Sequence, residues 1–221
     1  MIGIKVKTDD KYAYVTMNYR HIVENGWLDD LKYICAPTEH HAKRYTFHVL
    51  TSIGVTREVN RHRTLSILEM STRYCNFSKD KFDNQVSFCK PSWLDLNLGI
   101  YKTENVNGLH IVGDGYIKEV NNTDADNVFI QTCLATEANY KYLINEGWSA
   151  QQAREVLPLC TATEAVYTGF AEDWKHFFGL RYFENTGKVH PNMMELSTKM
   201  REEAIKANIW DDIHSDPSSD N

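Results

Sequence analysis

The amino-acid sequence predicts an α+β fold, a single mixed domain whose central antiparallel or mixed sheet is flanked by helices. Residues 45–52 (YTFHVLTS) and 161–168 (TATEAVYT) are rich in the aromatic and β-branched side chains that suit a pleated, half-buried surface. Residues 124–146, 171–181 and 191–210 carry helical character with start and stop signals. Strands and helices are partly segregated, without regular βαβ alternation.

Taken in order, the strand over 45–52 ends at a break marked by Gly54, and a short helix over 55–61 leads into a functional loop over 62–74. Residues 109–120 (LHIVGDGYIKEV) read either as a β-hairpin turning at Gly113-Asp114-Gly115 or as a surface excursion. The helix over 124–146 closes at Gly147, a residue suited to the left-handed position after a helix. Ser149 followed by Gln152 resembles a capping box opening a helix that ends before Pro158. On the helix over 171–181, Trp174, Phe177, Phe178 and Arg181 fall at i, i+3, i+4 and i+7, so a guanidinium shares a face with an aromatic stripe. Pro191 suits the first turn of a final helix reaching Trp210. Polar residues 214–221 (HSDPSSDN) read as a frayed tail, leaving 1–213 as the folded domain.

With 221 residues and 42% hydrophobic content, the chain is long enough to bury a real core. It has no run of the roughly 20 apolar residues that a membrane span needs, and the start MIGIKVKTDDKYAY lacks the basic-then-apolar layout of a signal peptide, so a cytoplasmic protein is expected. Cys35, Cys75, Cys89, Cys133 and Cys160 are odd in number, scattered and without a CxxC pair, which fits free thiols in a reducing compartment. The net charge of -6 argues against a general nucleic-acid coat. Any anion bound here needs a local basic cluster.

Residues 57–73 (REVNRHRTLSILEMSTR) supply one: Arg57, Arg61, Arg63 and Arg73, opposed only by Glu58 and Glu69. Guanidinium forks suit phosphate because their planar donors make two charge-assisted hydrogen bonds at once. Ser71 and Thr72 beside Arg73 can complete a phosphate cradle with backbone N–H groups. The competing reading is a set of surface ion pairs with nearby carboxylates. If 55–61 is helical, Arg57 and Arg61 lie on one face and repel by a few tenths of a kcal/mol unless an anion joins them.

Arg61-His62-Arg63, then seven residues, then Ser71 with Arg73 beyond it, resembles the signature of the flavin-dependent thymidylate synthases, with Ser66, Glu69 and Tyr74 also in place. Residues 37–41 (PTEHH), 46–49 (TFHV), 153–159 (AREVLPL), 174–181 (WKHFFGLR) and His190-Pro191 resemble further family elements in the same order. The resemblance implies conversion of dUMP to dTMP, with methylenetetrahydrofolate as carbon donor and FAD, reduced by NADPH, as hydride donor. It also implies a homotetramer with shared active sites, acting on dUMP and folate and not on nucleic acid or membrane.

By the same resemblance, Thr38, Arg61, His62, Arg63, Glu69, His176 and His190 lie on the flavin side. Arg57, Glu58, Arg61, Glu69, Ser71, Thr72, Arg73 and Arg154 lie on the substrate side, with the Ser71–Arg73 group holding the dUMP phosphate from a neighbouring subunit. Arg181 would face the uracil and stabilise negative charge as the N3 proton is lost. Departures from the pattern are Phe170-Ala171-Glu172 where many members carry N-x-R, His176 in place of asparagine, and Thr72 in place of glycine. No metal site is expected, because the adjacent Glu39, His40 and His41 do not converge on one ion. Two other readings stay open: a catalytically weakened nucleotide-binding relative, and a nucleic-acid-binding module using the same arginines.

Overall fold

The computed structural model describes residues 2–8, 11–17, 19–82, 84–94, 105–106, 109–110 and 125–215. Strands β1 (Ile2–Thr8) and β2 (Lys11–Met17) pair antiparallel from Ile2 with Met17 to Thr8 with Lys11. Helix α1 (Tyr19–Glu24) stops at Gly26, whose φ of 71° lets the Gly26 and Trp27 N–H groups close on Val23 and Ile22. A 3₁₀ turn, Leu28–Tyr33, then delivers β3 (Ile34–Cys35) to the other edge of β1.

The main sheet begins with β4 (Arg44–Ser52), which runs directly into α2 (Ile53–Val59), followed by β5 (Ser66–Glu69). Two short strands, β6 (Asn105–Val106) and β7 (Leu109–His110), pair with each other. Helices α3 (Ala125–Asn145) and α4 (Ala150–Ala153) precede β8 (Ala162–Phe170), and α5 (Ala171–Arg181) continues from β8 without a loop. Helices α6 (Pro191–Lys206) and α7 (Trp210–Ile213) complete the described chain. Strand order in the main sheet is β4-β8-β5, all antiparallel. This is the mixed α+β architecture the sequence predicts.

Period-two burial drives the sheet: Phe47, Val49 and Thr51 of β4 are buried while Thr46, His48 and Leu50 are exposed. The inward residues meet Ala165 and Tyr167 of β8 and the aromatic stripe of α5, where Trp174, Phe177 and Phe178 are all 0% exposed. Trp174 also spends its one polar atom, Nε1 donating to Tyr45 O at 3.2 Å. A second cluster forms where Phe77, Val86, Tyr140 and Ala153 pack between α3 and α4. Asp212 of α7 ties the end of the described chain to the start of β4, accepting from Lys43 Nζ at 2.5 Å and from the Tyr45 hydroxyl. Those two hydrogen bonds, Lys43 first, hold its carboxyl below the usual range.

Three sequence expectations change. The helix expected over 55–61 starts at Ile53, because the Ser52 Oγ caps it by accepting from Val55 N, and it ends at Val59. The expected loop over 62–74 contains β5, an edge strand that borrows its register from β8. The final helix breaks after Lys206, where Asn208 takes φ 54° before α7. In the region read as a hairpin over 109–120, Leu109–His110 pairs backward with Asn105–Val106, and 111–120 lies outside the described residues, as does most of the expected tail. The β1–β2–β3 sheet adds to the expected elements. Gly147 (φ 90°) and the Ser149–Gln152 capping box stand as expected, although α4 tightens to a 3₁₀ turn over Arg154–Val156.

Among the described glycines, Gly169 of β8 leaves the least room for a side chain. A Cβ there would collide with Leu65 Cδ2 and lie 3.2 Å from Asp173 Cβ, and Leu65, only 5% exposed, has little room to swing away. Gly169→Ala is expected to cost about 1–3 kcal/mol by overpacking, read as a lower urea midpoint; an unmoved midpoint would show that the site is slack.

Candidate active site

The basic segment grows out of α2. Val55, Thr56 and Val59 face the core, which turns Arg57 to solvent and leaves Glu58 half-buried. Beyond the helix a tight turn follows, with Arg61 N donating to Glu58 O, His62 N to Val59 O and Leu65 N to His62 O. Burial of His62 and Leu65 in that turn holds Arg61 and Arg63 outward on either side of the histidine. Arg61 therefore lies beyond the helix, and the shared helical face with Arg57 considered from the sequence is not formed. Among the described residues no hydrogen bond or ion pair engages the side chains of Arg57, Arg61 or Arg63.

His62 meets Arg181 at the end of α5. Arg181 Nε donates to His62 Nε2 at 3.2 Å, Nη1 donates to Glu58 Oε2 at 3.1 Å and Nη2 to Glu58 O at 3.4 Å. Its backbone carbonyl accepts from Ser197 Oγ at 2.7 Å, which pins the helix end to α6. The guanidinium has five N–H groups and uses three here, leaving two directed elsewhere. His62 packs edge-on against Phe177 (5.0 Å) and His176 (5.7 Å). Burial first, then the charges of Arg181 and His176, push its pKa down to about 4. A neutral imidazole accepting at Nε2 carries its proton on Nδ1.

A second group forms around Glu69, the last residue of β5. Its carboxylate accepts from Thr56 Oγ1 at 2.7 Å and from Asn60 Nδ2 at 3.1 Å, and Asn60 Oδ1 accepts from the buried Tyr167 hydroxyl at 3.0 Å. Thr56, Asn60 and Tyr167 were absent from the sequence expectations. A threonine and an asparagine four residues apart, on or just beyond the core face of α2, were the signal available.

The third group is the turn after β5. Ser71 O accepts from Tyr74 N and Cys75 N, while Ser71 Oγ accepts from Arg73 N at 3.3 Å. Arg73 Nε donates to Gln151 Oε1 at 2.9 Å, and Arg154 Nη1 makes a long 3.5 Å hydrogen bond to Thr72 Oγ1. Arg154 also lies 3.6 Å from Glu155. The structure thus brings together Ser71, Thr72, Arg73 and Arg154, from segments far apart in sequence. Gln151 carried no signal in the sequence.

Thr38 and His190 stand apart from these groups. Thr38 N and Oγ1 both contact His41 Nδ1, at 2.9 and 3.0 Å. His190 caps α6, its Nδ1 accepting from Asn192 N at 3.3 Å, and its ring lies 5.6 Å from Trp93. His176 is exposed beside a shallow recess lined also by Glu172, Lys175, Gly179 and Asn185.

The state of His62 is directly measurable. Between pH about 4 and 6.5 the unfolded chain holds a proton on this ring that the folded protein lacks, so its contribution to stability falls as pH drops through that window. A ring-nitrogen NMR titration should place its midpoint near 4, and His62→Gln, which retains an acceptor for Arg181, should lose less stability than the parent between pH 6.5 and 4. A midpoint near 6.5 would remove the case for a buried neutral imidazole.

Residues 19–207 match the family model described as thymidylate synthase complementing protein. A flavin-dependent thymidylate synthase of Kosmotoga olearia is 29% identical over 137 residues, 62% of this chain and 53% of that one, so the match spans about half the length of that relative. A probable flavin-dependent thymidylate synthase of Paramecium bursaria Chlorella virus 1 is 24% identical over 208 residues, covering 88% and 83% of the two chains. Among solved structures, a UMP/dUMP methylase, PolB, from Streptomyces cacaoi, bound with 5-Br dUMP, shares the fold, with a TM-score of 0.52 and 22% identity over 76% of this chain and 69% of that chain. The family match takes in β4, β5, β8, α5 and all three side-chain groups, and on that extent the chain belongs to the family of thymidylate synthase complementing proteins.

Proposed function

We propose that the protein is a flavin-dependent thymidylate synthase that converts dUMP to dTMP. The observation that carries this reading is the state of the arginines. Among the described residues, Arg57, Arg61 and Arg63 have no carboxylate partner, and the side chain of Arg73 contacts only Gln151 and the Tyr74 ring, in a chain of net charge -6. Surface ion pairing, the competing explanation of the cluster, does not account for these guanidinium groups, because the two acids of the segment are turned elsewhere, Glu58 to Arg181 and Glu69 to Thr56 and Asn60. An anionic ligand does.

Arg73 and Arg154, with the Ser71 and Thr72 hydroxyls, make a donor set of the chemistry a nucleotide phosphate requires. Arg61 and Arg63, held outward around buried His62, would hold the phosphates of FAD, with Thr38, Glu69, His176 and His190 on its side. Arg57 and Glu58 complete the substrate side. Redox chemistry would come from FAD recharged by NADPH, and the transferred carbon from methylenetetrahydrofolate.

The chain's own contribution is positioning and charge. Arg181 is a permanent cation, half-buried beside Phe177, with Glu58 and His62 fixing its plane and two donors still available. That arrangement suits stabilisation of negative charge on a uracil ring as its N3 proton leaves. Keeping His62 neutral avoids a second positive charge against Arg181. Glu69, locked by Thr56 and Asn60, is a fixed acceptor between the two ligand sides. The reading carries with it a homotetramer in which a neighbouring subunit completes each site.

Purified protein is expected to show a visible flavin spectrum that dUMP perturbs. Colourless protein that stays colourless after FAD is added, and binds polynucleotide in a salt-dependent way, would replace this reading with nucleic-acid binding. Arg73→Ala and Arg154→Ala should each weaken dUMP binding about ten- to a hundredfold, the loss of one charge-assisted contact. Arg181→Ala should remove most turnover while leaving the circular dichroism spectrum intact; unchanged turnover would show that this guanidinium does not face the reacting ring.

A further inference from the structure

Five free thiols take no part in the proposed reaction, and two of them meet. Cys133 on α3 and Cys160, just before β8, approach to 3.8 Å between sulfurs. That is about 1.8 Å beyond the bonded S–S length. Cys133 is 7% exposed, whereas Cys160 is half-buried, so Cys160 is the more open of the two to a reagent arriving from solvent. The hydrogen bond between them acts oppositely on the two groups, lowering the pKa of Cys160 and raising that of Cys133. A more acidic, more open thiol in front of a less acidic, buried one is the arrangement of an attacking and a resolving cysteine. Cys89, whose backbone N–H donates to Cys160 O at 2.8 Å, is pushed up to about 11 by burial and stays a protonated bystander.

We propose that Cys133 and Cys160 form a reversible disulfide by exchange with a low-molecular-weight disulfide. The Cys160 thiolate attacks one sulfur of the small disulfide, that S–S bond breaks, and one small thiolate departs and takes up a proton. Cys133 then loses its proton and attacks the Cys160 sulfur of the mixed disulfide, releasing the second small thiol. Two protein thiols are oxidised by two electrons and one small disulfide is reduced to two thiols.

The new bond would tie α3 to the turn that receives the N-terminus of α2, where Ile53 N donates to Thr161 O and Gly54 N to Leu159 O. Closing a loop over residues 133–160 restricts the unfolded chain and raises the melting midpoint by about 5 °C or more.

The full chain, purified reduced, is incubated with oxidised glutathione, digested with trypsin without reductant and mapped by mass spectrometry. The expected product joins peptide 119–141 to peptide 155–175, leaves three titratable thiols of the five, reverses with dithiothreitol and carries the rise in melting midpoint. In Cys133→Ala, Cys160 should accumulate as a glutathione mixed disulfide with no cross-link. Parent protein that keeps all five thiols, stops at the mixed disulfide, or links Cys160 to Cys89 overturns the proposal. The parent map decides the matter even if the variant fails to fold.

Discussion

The antiparallel ladder between β4 and β8 is the constraint on which everything else rests. Its register, from Arg44 with Phe170 to Ser52 with Ala162, decides which side chains of both strands face inward. A slip of β4 by one residue would turn Phe47 and Val49 away from the face that Tyr167 occupies. Both strands run into helices without a loop, so the same register aims α2 and α5. Arg181 can reach Glu58 and His62 only because the two helices leave the sheet at fixed positions. On its other edge β8 pairs Ala165 with Glu69, which brings that carboxylate over Thr56.

Electrostatics divides the arginines into two kinds. Arg181 is half-buried and anchored on three acceptors, so its orientation is set before any ligand arrives, and the reorganisation needed at the moment of binding is small. Arg57, Arg61 and Arg63 are exposed and, among the described residues, unpaired, so nothing fixes the orientation of their long side chains. The first kind suits recognition of one defined ring; the second suits attraction and adjustable grip.

Much of this was legible in the sequence where local rules and burial agree. The strand over 45–52 and the helix over 171–181 combine the correct period with a clear boundary, and both stand within one or two residues of expectation. The segment 2–17 also carried its signal, Ile2, Ile4 and Val6 alternating toward Asp9-Asp10 and Tyr12, Tyr14 and Thr16 alternating beyond it. β5 was not legible, because Ser66, Ile67 and Leu68 are all exposed and the strand exists only as a partner of β8. Within the site, the density of arginines identified the region, yet the departure of Arg61 from α2 depends on Leu65 filling the core. The Thr56–Glu69–Asn60–Tyr167 network joins three elements, and no local pattern announces contacts of that kind.

The main ladder also has a consequence for synthesis. Thr46 and Thr168 face each other across it although 122 positions separate them in the chain. At roughly 5–20 residues per second, a ribosome needs on the order of 6–24 s between making one and the other. Throughout that interval β4 has aromatic and β-branched side chains, and the hydrogen-bonding edge that β8 later covers, left open. The speed of translation therefore sets how long that strand must wait for its partner.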